Sequence, residues 1–134
     1  MGQTDAINPG TARRGESKSD TASRLGASCY LETERVGNAA YLVLIGELDL
    51  SCAKRFREAL AESVADEPED LVLDMRSVTF IDSTGVALLL KADTLAREEG
   101  FRLHIVRSST EIVQAMFEAS GIDRLLPLTD EPPQ

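Results

Sequence analysis

The segment VLDMRSVTFIDSTGVALLLKA, residues 72–92, decides the fold, because it carries a buried strand, a junction and the start of a helix. Its first part is rich in apolar residues, as in a central strand of a sheet, and apolar residues resume after Gly85 as a helix. Between these parts, Asp82, Ser83 and Thr84 stand in a row. Each of these side chains can cap a helix N-terminus, but one cap needs only one residue. The segment therefore raises the question of what the other hydroxyl groups do.

Further strands and helices lie on both sides of this segment. Alternating apolar and polar residues predict a strand over residues 29–36, and a turn at Gly37-Asn38 joins it to a second strand as a hairpin. The predicted order is β-β-α-β-α-β-α, with room for a last short strand at residues 125–128. This order indicates an α/β fold, a single domain in which helices pack on a mixed β-sheet. The predicted strands are 29–36, 39–50, 70–76 and 101–107, and the predicted helices are 52–67, 86–100 and 108–121.

Cap residues mark the predicted helix ends. Ser51 is expected to cap the first helix, and Ser108 and Glu111 have the spacing of a capping box at the start of the third. Gly100 and Gly121 are expected to end the second and third helices in the left-handed conformation.

The second predicted helix begins with a nearly continuous apolar run. Val86, Leu89 and Leu90 are predicted to face the core. Ala87 and Leu88 are predicted to lie nearer the edge of the apolar stripe, where they could contribute to docking of a partner.

Charge divides the chain into an acidic body and a weakly basic tail. The 134 residues carry 14 basic and 23 acidic side chains, a net charge of −9. Residues 1–26 have four basic and three acidic side chains, so removing their +1 leaves −10 on the remainder. Their polar composition predicts a disordered tail, followed by one domain over residues 27–129 and a C-terminal tail over residues 130–134. An acidic body disfavours nucleic acid and anionic membranes as partners and suits a protein with a basic face.

The two cysteines, Cys29 and Cys52, show neither metal-ligand spacing nor a disulfide framework. They are predicted to be small, half-buried residues in a reducing cytosol. No apolar run reaches the length of a membrane span, and the N-terminal residues lack the apolar core of a signal peptide. We therefore expect a cytoplasmic protein, by default a monomer, without cofactor or metal.

Catalytic uses of Ser83 find little support in the sequence. A serine hydrolase needs a glycine two positions before the nucleophile, where Ile81 stands, and the one histidine, His104, lies in an apolar strand. A phospho-aspartate receiver could use Asp74 or Asp82, but the early acidic cluster and the late lysine of such domains are missing. No glycine-rich phosphate loop is present. The chain is therefore predicted not to be an enzyme.

Ser83 is better suited to receive a phosphate. A phosphate at this position would lie at a helix N-terminus, where free N–H groups and the helix dipole favour an anion. It would also lie beside Asp82 and, if the two strand ends are neighbours, near Asp49. Because phosphorylation adds about −1.5 to −2 charges, it would disrupt an interface built around a small hydroxyl.

The segment GELDL at residues 46–50 and the segment at residues 72–92 together resemble the STAS family, in particular the bacterial anti-sigma factor antagonists. The resemblance covers roughly residues 29–128 and implies the same order of strands and helices. It implies that Ser83 is the phosphoacceptor. It also implies a partner-binding surface made by Asp49, Asp82, Ser83, Thr84 and Gly85.

The function implied by this resemblance is a partner switch. The unphosphorylated protein binds an anti-sigma factor that is also a serine kinase of the GHKL type, and this binding frees a sigma factor. The kinase then phosphorylates Ser83 with its own ATP and Mg²⁺, and a PP2C-type phosphatase restores the binding form. Gly85 is expected to let the kinase reach the backbone, and Thr84, where many members have a second serine, keeps a hydroxyl that could also be modified. The alternative is a STAS module that is never phosphorylated and acts as a scaffold or binds a small ligand.

Overall fold

The computed structural model describes residues 29–133, which form one mixed sheet with helices packed on it. The strands are β1 (Cys29–Val36), β2 (Ala39–Leu48), β3 (Asp70–Ile81), β4 (Arg102–Val106) and β5 (Leu128–Thr129), and the α-helices are α1 (Ala53–Val64), α2 (Ser83–Glu99) and α3 (Glu111–Ser120). The strands lie side by side in chain order. β1 and β2 are antiparallel, and all other neighbouring strands are parallel. The predicted element order and mixed sheet are confirmed. The tail predicted for residues 1–26 lies outside the described residues.

All three helices pack on the same face of the sheet. Each helix joins two neighbouring parallel strands, and right-handed crossovers between strands that follow in order place every helix on one side. Buried side chains of the helices and of that sheet face form one cluster, with Phe56, Leu60, Leu89 and Phe117 from the helices and Leu42, Leu73 and Ile105 from the strands. On the opposite face the Tyr41 hydroxyl donates to the Pro133 carbonyl at 3.5 Å, so Pro133 lies against that face.

β3 is longer than the sequence suggested, and this length positions the candidate site. It has 12 residues, whereas its neighbour β2 has 10. The extra residues of β3 are accommodated at two register shifts opposite residues 43–45 and 46–47 of β2. Such bulges bend a strand and restore pairing beyond them. As a result, β2 and β3 end in register at Leu48 and Ile81.

The glycine signals at the helix ends are confirmed. Gly100 (φ 86°) ends α2 and Gly121 (φ 77°) ends α3, both in the left-handed conformation. In that region a side chain costs conformational energy that glycine avoids. The chain can therefore reverse sharply after both helices.

The capping box predicted for α3 is wrong. The N-cap of α3 is Thr110, which makes no side-chain cap bond. The Ser108 hydroxyl instead donates to the Val78 carbonyl at 2.6 Å and accepts from the Thr110 N–H at 2.9 Å. β3 continues past the end of β4, so this carbonyl has no strand partner on that side, and a buried acceptor needs a donor. Tertiary structure thus gives Ser108 a different role.

Candidate functional site

The carboxyl edge of the sheet brings the two predicted aspartates together. Leu48 and Ile81 are register partners on adjacent parallel strands, so Asp49 and Asp82 directly follow paired residues. The Asp82 N–H donates to the Leu48 carbonyl at 3.4 Å. Both carboxylates therefore lie at the edge where α2 begins.

Asp82 is the residue that caps α2. Its backbone is extended (φ −114°, ψ −171°), and its Oδ1 accepts from the Gly85 N–H at 3.0 Å. This geometry satisfies one of the free N–H groups of the first turn. Ser83 and Thr84 occupy the first two helical positions without serving as the cap. The Ser83 side chain is exposed to solvent, whereas Thr84 is half-buried.

Asp49 organises a tight turn at the end of β2. Its carboxylate accepts from the Ser51 N–H at 3.0 Å and from the Ser51 hydroxyl at 2.7 Å. The Cys52 N–H donates to the Asp49 carbonyl at 3.0 Å, which closes a short 3-10 turn over Leu50–Cys52. Because this turn precedes α1, the helix begins at Ala53 without a side-chain cap. The prediction that Ser51 caps α1 is therefore wrong, since its hydroxyl binds Asp49.

Gly85 is buried, and the space beside it is occupied. A Cβ added to Gly85 would lie 2.3 Å from the Leu48 carbonyl oxygen and 2.5 Å from Cγ1 of Ile81. Contacts this short would force the backbone of β2 or α2 to move. The expectation that Gly85 leaves the backbone open to a kinase is therefore wrong. Its missing side chain lets α2 begin directly against the end of β2.

Exposed apolar residues accompany Ser83 on this edge. Leu50, in the turn after Asp49, is 74% exposed. On α2 the exposed residues Ser83, Ala87 and Leu90 are spaced by four and three positions, and so they share one helix face. We call Leu50, Ser83, Ala87 and Leu90 the Ser83 surface.

The sequence misassigned two residues of α2. Leu88, predicted at the edge of the apolar stripe, is 4% exposed, whereas Leu90, predicted in the core, is 36% exposed. In an unbroken apolar run, the spacing alone does not select which residues face the sheet. The packing of α2 against the sheet and α1 makes that selection.

His104 is too far from Ser83 to act as its base. It pairs with Val72 near the start of β3, and Ser83 follows the other end of that strand, roughly 30 Å away at about 3.3 Å per residue. The His104 Nε2 atom lies 2.8 Å from Oδ1 of Asp70. Hydrogen bonds from Arg102 and then from His104 hold the pKa of Asp70 at about 2. These three side chains form a polar cluster at the opposite end of the strands, where β3 and β4 begin.

Asp74, which a receiver domain could have used, is held by Arg76. The Nε and Nη2 atoms of Arg76 lie 3.0 and 2.7 Å from its two carboxylate oxygens, and this pairing holds the pKa of Asp74 below its usual range. Within residues 29–133, no group of three or more His, Cys, Asp or Glu side chains could hold a metal ion. The helices of this part of the chain are all too short or too polar to cross a membrane.

Cys29 and Cys52 are joined by a disulfide. Their Cα atoms lie 5.8 Å apart across 23 positions of sequence, a separation that a disulfide spans. The side chains are 1% and 0% exposed. The prediction of two separate cysteines is wrong, because Cys29 pairs with Gly46 on β2 and the turn after β2 returns Cys52 to that edge. The sequence carries no signal for this pairing, which depends on strand register.

Comparison with known proteins places the chain in a family. The STAS_2 family, described as "Mlab, STAS domain", matches residues 31–127. The anti-sigma-F factor antagonist RsfB of Mycobacterium tuberculosis is 44% identical over 50 residues, which cover 37% of this chain and 41% of RsfB. The matched region thus spans less than half of RsfB.

Solved structures share the fold. An anti-sigma factor antagonist from Mycobacterium paratuberculosis superposes with a TM-score of 0.69 at 24% identity, covering 78% of this chain and 87% of that one. The Bacillus cell fate determinant SpoIIAA in its phosphorylated form gives a TM-score of 0.59 at 20% identity, covering 77% and 92%. Because the family match covers most of the sequence and the architecture agrees, the chain belongs to the STAS domain family.

Proposed function

We propose that this STAS domain is an anti-sigma factor antagonist controlled by phosphorylation of Ser83. The unphosphorylated form binds an anti-sigma factor with serine kinase activity, and this binding releases a sigma factor. The observation that carries the proposal is the exposed Ser83 hydroxyl at the start of α2. Because Asp82 caps the helix, this hydroxyl is not used as the cap. RsfB and the Mycobacterium paratuberculosis protein are named as anti-sigma factor antagonists, and SpoIIAA is described in a phosphorylated form.

A phosphate on Ser83 has two opposing effects at this edge. The free N–H groups and the macrodipole of the 17-residue α2 favour an anion at its first turn. The carboxylates of Asp49 and Asp82 repel it. The helix therefore tolerates the phosphate, while the surface gains about −1.5 to −2 charges beside two existing ones. An interface that loses about 3 kcal/mol through this repulsion binds roughly 100-fold more weakly.

The partner face that fits the Ser83 surface is apolar with a basic rim. Leu50, Ala87 and Leu90 are exposed apolar residues at the same end of the sheet as the Ser83 hydroxyl. The carboxylates of Asp49 and Asp82 adjoin it, and residues 27–134 together carry −10. Opposite charge on the partner would speed association and fix its orientation. Thr84 is less accessible than Ser83 and serves as a secondary acceptor at most.

The chain acts in this scheme as a substrate and a ligand and has no catalytic role. The GHKL-type kinase supplies ATP and Mg²⁺. The Ser83 oxygen attacks the γ-phosphorus, the bond from the γ-phosphorus to the β–γ bridging oxygen breaks, ADP leaves, and the hydroxyl proton passes to a base of the kinase. A PP2C-type phosphatase restores the hydroxyl. The chain works as a cytoplasmic monomer, without a cofactor and without a nucleic acid or membrane partner.

Mass spectrometry on the protein isolated from its native cells tests the proposal. We expect a phosphate-sized mass increase on Ser83 that changes between growth and stress. Ser83→Ala should bind the anti-sigma factor in the presence of ATP, Ser83→Asp should bind poorly, and the matched control Thr84→Ala should still switch with ATP. A single unmodified mass in all conditions, with equal binding by all variants, would instead support a scaffold or ligand-binding module.

A further inference from the structure

The disulfide ties the edge strand to the turn that carries part of the Ser83 surface. Cys29 is the first residue of β1, and Cys52 is the last residue of the 3-10 turn. Cys52 donates its N–H to the Asp49 carbonyl, and Asp49 in turn holds Ser51. The disulfide therefore links β1 to the turn that contains Leu50 and restricts the movement of this residue.

We propose that Cys29 and Cys52 form a reversible redox-modification site that controls the order of residues 49–52. In the oxidised form the disulfide holds the turn against β1. In the reduced form the turn keeps its local hydrogen bonds and the buried packing of the Cys52 side chain, but it loses the covalent link to β1. The effect on partner binding rests on the proposed function, whereas the effect on the turn does not.

Hydrogen peroxide can oxidise the two thiols to the disulfide in a balanced reaction. One thiolate attacks a peroxide oxygen, the O–O bond breaks, and a sulfenic acid and hydroxide form. The second thiol then displaces the sulfenic oxygen as water, which forms the S–S bond. In sum, two thiols lose two protons and two electrons, and hydrogen peroxide becomes two waters. A dithiol reverses the modification by thiol–disulfide exchange and is itself oxidised to a disulfide.

The location of the pair suits a reversible modification. In a reducing compartment, where the proposed function operates, lasting structural disulfides are rare, and those that form are mostly redox-sensing or catalytic. Both sulfur-bearing side chains are buried, at 1% and 0% exposed, so a reductant reaches them only when the structure opens. Among residues 29–133, the strand that begins at Cys29 pairs with β2 alone. Strand ends open at lower free energy than the centre of a sheet.

Loss of the bond should weaken binding through disorder of the turn. A partner that contacts Leu50 must order the reduced turn when it binds, whereas the oxidised turn is already ordered. Fixing the backbone of one residue costs roughly 1 to 2 kcal/mol, which corresponds to about tenfold in affinity. We therefore expect the reduced protein to bind its partner about tenfold more weakly.

Amide hydrogen exchange of the full-length protein, followed by NMR, tests the structural part without a partner. The protein is treated with hydrogen peroxide or with dithiothreitol, and N-ethylmaleimide labelling with mass measurement counts free thiols. We expect no labelled thiol after peroxide, two after dithiothreitol, and at least tenfold faster exchange of the Ser51 and Cys52 amides in the reduced form. The amide of Ile105, a residue of β4, donates to the Pro127 carbonyl. It should exchange at the same rate in both forms, so it serves as the internal control.

Two variants complete the experiment. Cys29→Ser with Cys52→Ser should show the fast Ser51 exchange under both treatments, because it cannot form the bond. Ser83→Ala with both cysteines intact should lose affinity for the anti-sigma factor on reduction, independently of phosphorylation. Two labelled thiols after peroxide, or equal Ser51 exchange in both forms, would overturn the redox site. If the exchange differs but no anti-sigma factor binds either form, the redox site stands and the proposed function fails.

Discussion

Substitution of Gly85 by alanine tests the close approach of α2 to the end of β2. The added methyl group would lie 2.3 Å from the Leu48 carbonyl oxygen and 2.5 Å from Ile81 Cγ1. Ile81 is 6% exposed, so it has little room to move. The Leu48 carbonyl also accepts from the Asp82 N–H, so its displacement disturbs the cap of α2.

Two effects of opposite sign contribute to the expected change in stability. Alanine has a better helix propensity than glycine by about 1 kcal/mol in a helix interior. Overpacking in a buried site typically costs about 1 to 3 kcal/mol, and more when backbone atoms must shift. Since the closest atom is a backbone oxygen, we expect the clash to exceed the propensity gain. The net prediction is a loss of about 1 to 2 kcal/mol in the free energy of unfolding, with the clash taken at the upper end of its range.

Urea unfolding followed by circular dichroism measures this change. With a slope of about 1 to 2 kcal/mol per molar urea, a loss of 2 kcal/mol lowers the midpoint by about 1 to 2 M. Ser83→Ala is the matched control, because it introduces the same side chain two positions earlier at an exposed site, and it should stay within about 0.5 kcal/mol of the wild type. A Gly85→Ala protein as stable as the wild type or more so would refute the close-contact reasoning.

Two further predictions use the same unfolding assay. Asp82→Ala removes the cap bond to the Gly85 N–H and should cost about 1 kcal/mol; a loss no greater than that of Ser83→Ala would contradict the role of Asp82 as the cap. Asp70 has a folded pKa of about 2, below its usual 3.8, so its pairing contributes fully above about pH 5 and is lost as the pH falls through 2. Because Arg102 is 68% exposed, we expect Asp70→Asn to lose only about 1 kcal/mol at pH 7 and nothing at about pH 1. An equal deficit at both pH values would rule out the ionised pair as its source.

Local patterns were sufficient to predict most of the architecture. Apolar patterns and turn residues identified β1 to β4 and the three α-helices, because each pattern reports a buried or half-buried surface. The last strand was foreseen only as a possible short strand at residues 125–128, and it lies at Leu128–Thr129. Gly100 and Gly121 marked two helix ends, since glycine can adopt the left-handed conformation without steric cost whatever its surroundings. The junction at Asp82 and Ser83 was recognised for the same reason, as the change from strand to helix is visible within a few residues.

The sequence alone left open which of several suitable groups makes each contact. Ser108 and Gly85 were each assigned a plausible local role, and each has a different one because a residue distant in sequence lies beside it. Ser51 was expected to cap α1, but its hydroxyl binds Asp49 two positions earlier. The register of β2 against β3, with its bulges, is likewise a property of the paired strands.

The sequence by itself determined the order of elements, the acidic charge and the presence of a hydroxyl at a strand–helix junction. Tertiary structure decided that Ser83 is exposed, that the Ser108 hydroxyl binds the Val78 carbonyl, and that Cys29 meets Cys52. The physical reason is range. Periodicity and turn chemistry act over a few neighbouring residues, whereas hydrogen-bond partners and a disulfide depend on distances that exist only after the strands have paired and the helices have packed.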